Sequence, residues 1–146
     1  MTLNWSKKEL LSSSRAPASR LLQCLVRDVY TPQAGAKALA RAGAHVVIAG
    51  RIADPALFLS PLVHQFGWAL DDWTALGRGT LAGHLMECGM QITGGYFADP
   101  GRKDVPDLAR LGFPFADVWP DGRAILGKPE GSGGRLDLRT AKEQLL

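Results

Sequence analysis

The feature that most restricts the fold is a short apolar run, His45-Val46-Val47-Ile48-Ala49, closed by Gly43 before it and Gly50 after it. A continuous run without polar alternation predicts a strand buried on both faces. Residues 32–42, PQAGAKALARA, predict a helix immediately upstream, with Pro32 in its first turn and Gly43 as its C-cap. Helix, glycine, buried strand, glycine is the order of an α/β protein, here with a partial parallel-sheet layer and flanking helices. Further helices are predicted over 54–66, from an Asp54 N-cap with Pro55 at N1 to Gly67, and over 80–92, after a helical turn at 70–77. Leu57, Phe58, Pro61, Leu62 and Phe66 form the apolar side of the first. Leu81, Leu85 and Ile92 line the second, and Trp68 and Trp73 read as packing anchors. A short helix capped by Asp104 is expected over 104–111.

The last third changes character. Residues 113–118, Pro120-Asp121-Gly122 and residues 123–126 predict a C-terminal β-hairpin with an Asp-Gly turn. Residues 128–134 form a glycine-rich loop. Leu136 and Leu138 suggest a short strand, and Thr140 a cap for a helix that the chain cuts off at Leu146, so a truncated domain is expected. At the other end, residues 17–29 suggest a short helix. Residues 1–16, with a Ser12-Ser13-Ser14 run and scattered charge, suggest disorder.

Composition excludes several classes. The chain has 146 residues, enough for one domain with a substantial core, and its 46% apolar content is ordinary for a soluble protein. No apolar run approaches the roughly 20 residues that cross a bilayer, so no membrane partner is expected. The net charge is +3, but residues 1–28 carry five basic and two acidic side chains and the other 118 residues carry twelve of each. The folded part therefore has no net basic excess, which argues against nucleic acid. Cys24 and Cys88 belong to no CxxC or Cys/His metal pattern and read as reduced thiols of a cytoplasmic protein.

Four places could carry chemistry. Arg51 leaves the predicted strand just before the helix that Asp54 opens, where free backbone N–H groups suit a phosphate or carboxylate. The alternative is an Arg51–Asp54 pair that only fixes the turn. Thr80, His84, Cys88 and Gln91 share one helical face. His84 could act as acid or base and Cys88 as nucleophile, or both could simply pack between helices. Thr93-Gly94-Gly95-Tyr96 and Asp99 follow on a loop whose glycines permit close approach to a ligand, Asp99 supplying a carboxylate. Asp99-Pro100-Gly101 is equally a tight turn. Lys128, Glu130, Gly131, Gly133 and Arg135 lie on a flexible loop that could wrap an anion but lacks the ending of an ATP-binding loop. It could equally be a plain connection. No third ligand stands at metal spacing beside His84 and Cys88, so no metal is expected, and no cofactor is indicated. The ends of residues 45–49, 93–101 and 128–135 are expected to converge on one pocket.

Three segments, GRIADP, TLAGHLMECGMQITGGYFADPG and KPEGSGGRLDLRTAKEQLL, together resemble the acyclic terpene utilization family, bacterial α/β proteins tied to growth on branched isoprenoid alcohols. The resemblance runs from about residue 29 to 146 and leaves residues 1–28 as a separate leader. It implies a role in degrading acyclic terpenes such as citronellol and geraniol, and a chain that is part of a longer protein. It brings no catalytic residue with it. Two functions follow. One is an enzyme acting on a branched acyl thioester such as an acyl-CoA, or a branched acid, with Arg51, Lys128 and Arg135 holding anionic groups. The other is a non-catalytic binding or scaffold subunit. Self-association into a homo-oligomer is expected if truncation leaves apolar surface uncovered.

Overall fold

The computed structural model describes residues 52–146 and the backbone of two further segments, Gln23–Val26 and Val46–Ala49. The expected disorder of 1–16, the helix over 32–42 and the position of Arg51 lie outside the described residues. The chain divides into two units, Met1–Asp71 and Asp72–Leu146.

In the first unit, β1 (Gln23–Val26) pairs in parallel with β2 (Val46–Ala49), Gln23 opposite Val46 and Val26 opposite Ala49. The apolar run at 46–49 is thus a strand. The helix expected over 17–29 is corrected at 23–26. Leu25 and Val26 fit a helical side by spacing, but pairing with β2 wins over that local pattern. Two strands are all the parallel sheet that the described residues hold, so the expected parallel layer is not supported, and the architecture is mixed α/β.

Helix α1 (Ala56–Phe66) follows and ends at Gly67, which takes the left-handed conformation at φ 62°. Pro55 stands at its N-cap, and Asp54 contributes its backbone carbonyl to Leu57 but no side-chain cap. The buried stripe is Ala56, Leu59, Ser60 and Val63, not the expected Leu57 side. Nearly every position of ALFLSPLVHQF is apolar, so periodicity alone does not choose which face turns inward. Phe66 stacks on the buried Trp68 at 5.6 Å between ring centroids.

The second unit is built on α2 (Trp73–Glu87). Asp72 opens it, its side chain accepting from the Ala75 N–H at 3.0 Å. The helix runs unbroken through Gly77 and Gly79 and ends at Glu87, which corrects the expected turn and separate helix over 80–92. The buried residues Ala75, Gly79, Ala82 and Gly83 explain this. Small side chains on one face let the hairpin approach closely, and that packing outweighs the poor helix propensity of glycine. Trp73, at the exposed start of α2, is no packing anchor.

Strands β3 (Phe115–Val118) and β4 (Ala124–Gly127) form the expected antiparallel hairpin, and both pack on α2. Its loop is Pro120-Asp121-Gly122. Trp119 and Arg123 close it through Trp119 N–H to Arg123 C=O (2.9 Å), and Gly122 N–H donates to Trp119 C=O (2.8 Å). Gly122 has φ 79°, and a Cβ there would lie 3.1 Å from Cβ of Arg78 and 3.2 Å from the carbonyl of Ala75. Glycine therefore both turns the chain and seats the turn against α2.

Between α2 and the hairpin run two short 3-10 turns, Gly89–Gln91 and Leu108–Arg110. The helix expected over 104–111 is reduced to the second of these. Asp104 caps no helix; its side chain accepts from the Gly101 N–H at 2.9 Å. Helix α3 (Leu138–Gln144) replaces the strand expected at Leu136 and Leu138. Its cap is Asp137 rather than Thr140. The Asp137 carboxylate accepts from the N–H groups of Arg139 (2.8 Å) and Thr140 (3.2 Å), while Thr140 Oγ1 accepts from the Asp137 N–H (3.1 Å). This reciprocal pair is a capping box.

Candidate functional site

The two described glycine-rich segments, 93–101 and 128–135, do meet, and they meet backbone to backbone. Arg135 N–H donates to Thr93 C=O (2.9 Å), Gly134 N–H to Pro106 C=O (2.7 Å) and Gly133 N–H to Arg110 C=O (2.8 Å). Gly112 N–H returns a bond to Gly133 C=O (3.2 Å). At Gly134, with φ 84°, a Cβ would stand 2.5 Å from the Thr93 carbonyl oxygen. The close approach that these glycines allow is thus taken by neighbouring chain. Thr93 is fully buried, and its hydroxyl lies 2.8 Å from Gly112 C=O and 3.1 Å from Met90 C=O. Gly94 and Gly95 turn the chain there, their N–H groups donating to Gln91 C=O and Met90 C=O.

The polar side chains proposed for ligands have partners of their own. Arg135 Nη2 pairs with Asp137 Oδ2 at 2.6 Å, and its guanidinium lies 5.9 Å from the centroid of the buried Phe97 ring. Lys103 approaches the same ring at 5.1 Å and pairs with Glu143 at 2.8 Å. Both are cation–π contacts that fix the loop edge. Lys128 Nζ donates to the Ser132 carbonyl at 2.8 Å. Glu130, Gly131 and Tyr96 are exposed. Burial raises the Asp137 carboxyl, but hydrogen bonds from the Arg135 guanidinium and the Thr140 and Arg139 N–H groups outweigh it and hold it below the usual carboxylate value.

His84, Cys88 and Asp99 do not form a hydrogen-bonded constellation. His84 Nε2 faces the Gln144 carbonyl at 3.0 Å and so carries a proton there, tying α2 to α3. The Cys88 thiol donates to Glu87 Oε1 at 2.7 Å. Because α2 ends at Glu87, Cys88 and Gln91 leave the helical face they were expected to share with Thr80 and His84. Asp99 is exposed and its backbone forms a two-way bridge with Lys103. Asp54 is also exposed. Among the described residues no group of three His, Cys, Asp or Glu stands together as a metal site.

A concavity within the second unit lies outside every expected site. It is an open groove of about 660 Å³ between α2 and the hairpin. Leu81, Ala82 and Leu85 supply its floor from α2, and Trp119, Ile125 and Leu126 its wall. Its volume lies in the range of small-molecule sites, about 300–1,000 Å³. Leu81 and Ile125 are 48% and 63% exposed, so the apolar surface is open to solvent. Arg78 and Arg123 stand at the polar edge, on either side of Asp121. The Arg123 N–H hydrogen bond is the largest influence on the Asp121 carboxyl; with the two guanidiniums it keeps the group below its usual value despite burial. Sequence held one hint of this groove: Arg78, Leu81, Ala82 and Leu85 recur at helical spacing if α2 is continuous through Gly79.

This is a mixed α/β chain with an apolar groove and no metal cluster among its described residues, a frame that does not itself name a reaction. A family model described as "Acyclic terpene utilisation family protein AtuA" matches residues 4–146, and the chain belongs to that family. The match takes in residues that the motifs alone left outside, including β1. Neither a curated protein nor a solved structure matches the chain. Among the described residues no helix is long and apolar enough to cross a membrane.

Proposed function

We propose that the chain serves acyclic terpene breakdown by binding a branched acid or its acyl thioester, with the branched tail in the groove between α2 and the hairpin. The observation that carries this reading is the apolar lining itself: Leu81, Leu85, Trp119, Ile125 and Leu126 around one open volume. Methyl-branched chains are broad and irregular, and such a groove removes their surface from water without needing a polar partner along the tail. Membership of an acyclic terpene utilisation family supports a ligand drawn from that breakdown. The loop cations Lys128 and Arg135 enter this reading only as supports, since both are bonded within the fold.

The test is titration of the full chain with geranic acid, followed by tryptophan fluorescence, to which Trp119 contributes, and by calorimetry. A Leu81→Asp variant places a charge on the floor of the groove at an exposed position, where the fold should tolerate it. We expect it to lose affinity tenfold or more, which is about 1.4 kcal/mol. Equal affinity of the variant and the parent would remove the groove from the reading.

A further inference from the structure

We propose that Arg78 and Arg123 form the head-group end of this groove and select a free carboxylate over an alcohol or a thioester. This inference rests on the groove reading and deepens it. Arg78 lies on α2 one turn before Leu81 and Ala82 and two turns before Leu85, so its stem continues the apolar floor and its head ends it. Arg123 follows the hairpin turn directly and leads into Ala124, Ile125 and Leu126 on the facing wall.

Asp121 holds the two cations in place. Its Oδ2 accepts from Arg123 Nε at 2.6 Å, its backbone carbonyl accepts from Arg78 Nη1 at 2.9 Å, and Arg78 Nη1 stands 3.9 Å from the same Oδ2. Two guanidiniums thus share one carboxylate and the cluster keeps one net positive charge. Arg123 meets Asp121 through Nε, and its side chain is 70% exposed, so the Nη edge faces solvent. That edge suits a carboxylate, which accepts two parallel hydrogen bonds from a guanidinium. An alcohol offers one neutral oxygen, and a thioester carbonyl offers neither charge nor a second oxygen. The charge therefore discriminates among ligands with the same tail.

Equilibrium titrations of the full chain with geranic acid, geraniol and geranoyl-CoA test the selection, in the parent and in Arg78→Gln, Arg123→Gln and Arg123→Lys. We expect the parent to bind the acid at least tenfold more tightly than the alcohol. Either Gln substitution should bring the acid to the alcohol's affinity and leave the alcohol unchanged. Arg123→Lys, which keeps the charge and loses the fork, should fall between, and it keeps the test valid if a Gln variant is unstable. Acid and alcohol bound alike by the parent would overturn the proposal while sparing the groove. Tighter binding of the thioester, lost in the same variants, would overturn it in favour of phosphate recognition. Failure of all three ligands to bind would sink the groove reading and this proposal together.

Discussion

Gly134 combines a left-handed backbone with a neighbour that cannot move aside, the carbonyl oxygen of Thr93. Gly131, three residues earlier on the same loop, has φ 72° and open space around it. Gly131→Ala should therefore cost only the left-handed penalty, about 1 kcal/mol. Gly134→Ala adds a steric term and should cost about 3 kcal/mol. Urea unfolding of the two variants checks the difference, and equal midpoints would contradict the close approach. Thr93 gives a second residue-scale expectation. Thr93→Val removes a buried hydroxyl whose loss strands the Gly112 carbonyl, and should cost about 1–3 kcal/mol. Glycine density made both segments visible in the sequence. What local sequence does not encode is the identity of the close neighbour, which at Gly134 is the Thr93 carbonyl.

Helix α2 shows where local patterning fails and where it succeeds. Gly77 and Gly79 stand where the pattern suggests a break, yet Gly79, with Ala75, Ala82 and Gly83, lies on the buried face of one continuous helix. The hairpin itself was legible because Pro120-Asp121-Gly122 states its turn chemistry within three residues. The groove joins the two elements, so no window of sequence contains it. The N-terminus of α2 gives the element-scale prediction. Asp72→Ala removes the cap on the Ala75 N–H and should cost about 1 kcal/mol, while Asp72→Asn should cost much less. Because the groove floor, Leu81 to Leu85, lies about 2.5 to 3.6 turns further along, affinity for geranic acid should survive the Ala substitution. Thermal unfolding and titration of the same preparation check both statements.

At the scale of the whole molecule, acid sensitivity follows from Asp121 and Asp137. Both carboxyls lie below their usual value of 3.8 in the folded chain. A depressed folded value means that the unfolded chain binds protons first as pH falls. The stabilisation is complete above 3.8 and is lost as pH drops through the folded values. The melting temperature of Asp137→Asn should therefore fall less steeply than that of the parent below pH 3.8. Parallel curves would show that the capping carboxylate has no such role. The bonds from residues 133–135 back to Thr93, Pro106 and Arg110 carry a different consequence, for synthesis. The ribosome makes α2 and the hairpin before Arg135, so the 93–112 stretch leaves the tunnel while its carbonyl partners at 133–135 are still held inside it. At roughly 5–20 residues per second that wait lasts a few seconds. During it Ile92, Phe97 and Val105, the side chains this stretch finally buries, are open to chaperones and to neighbouring nascent chains.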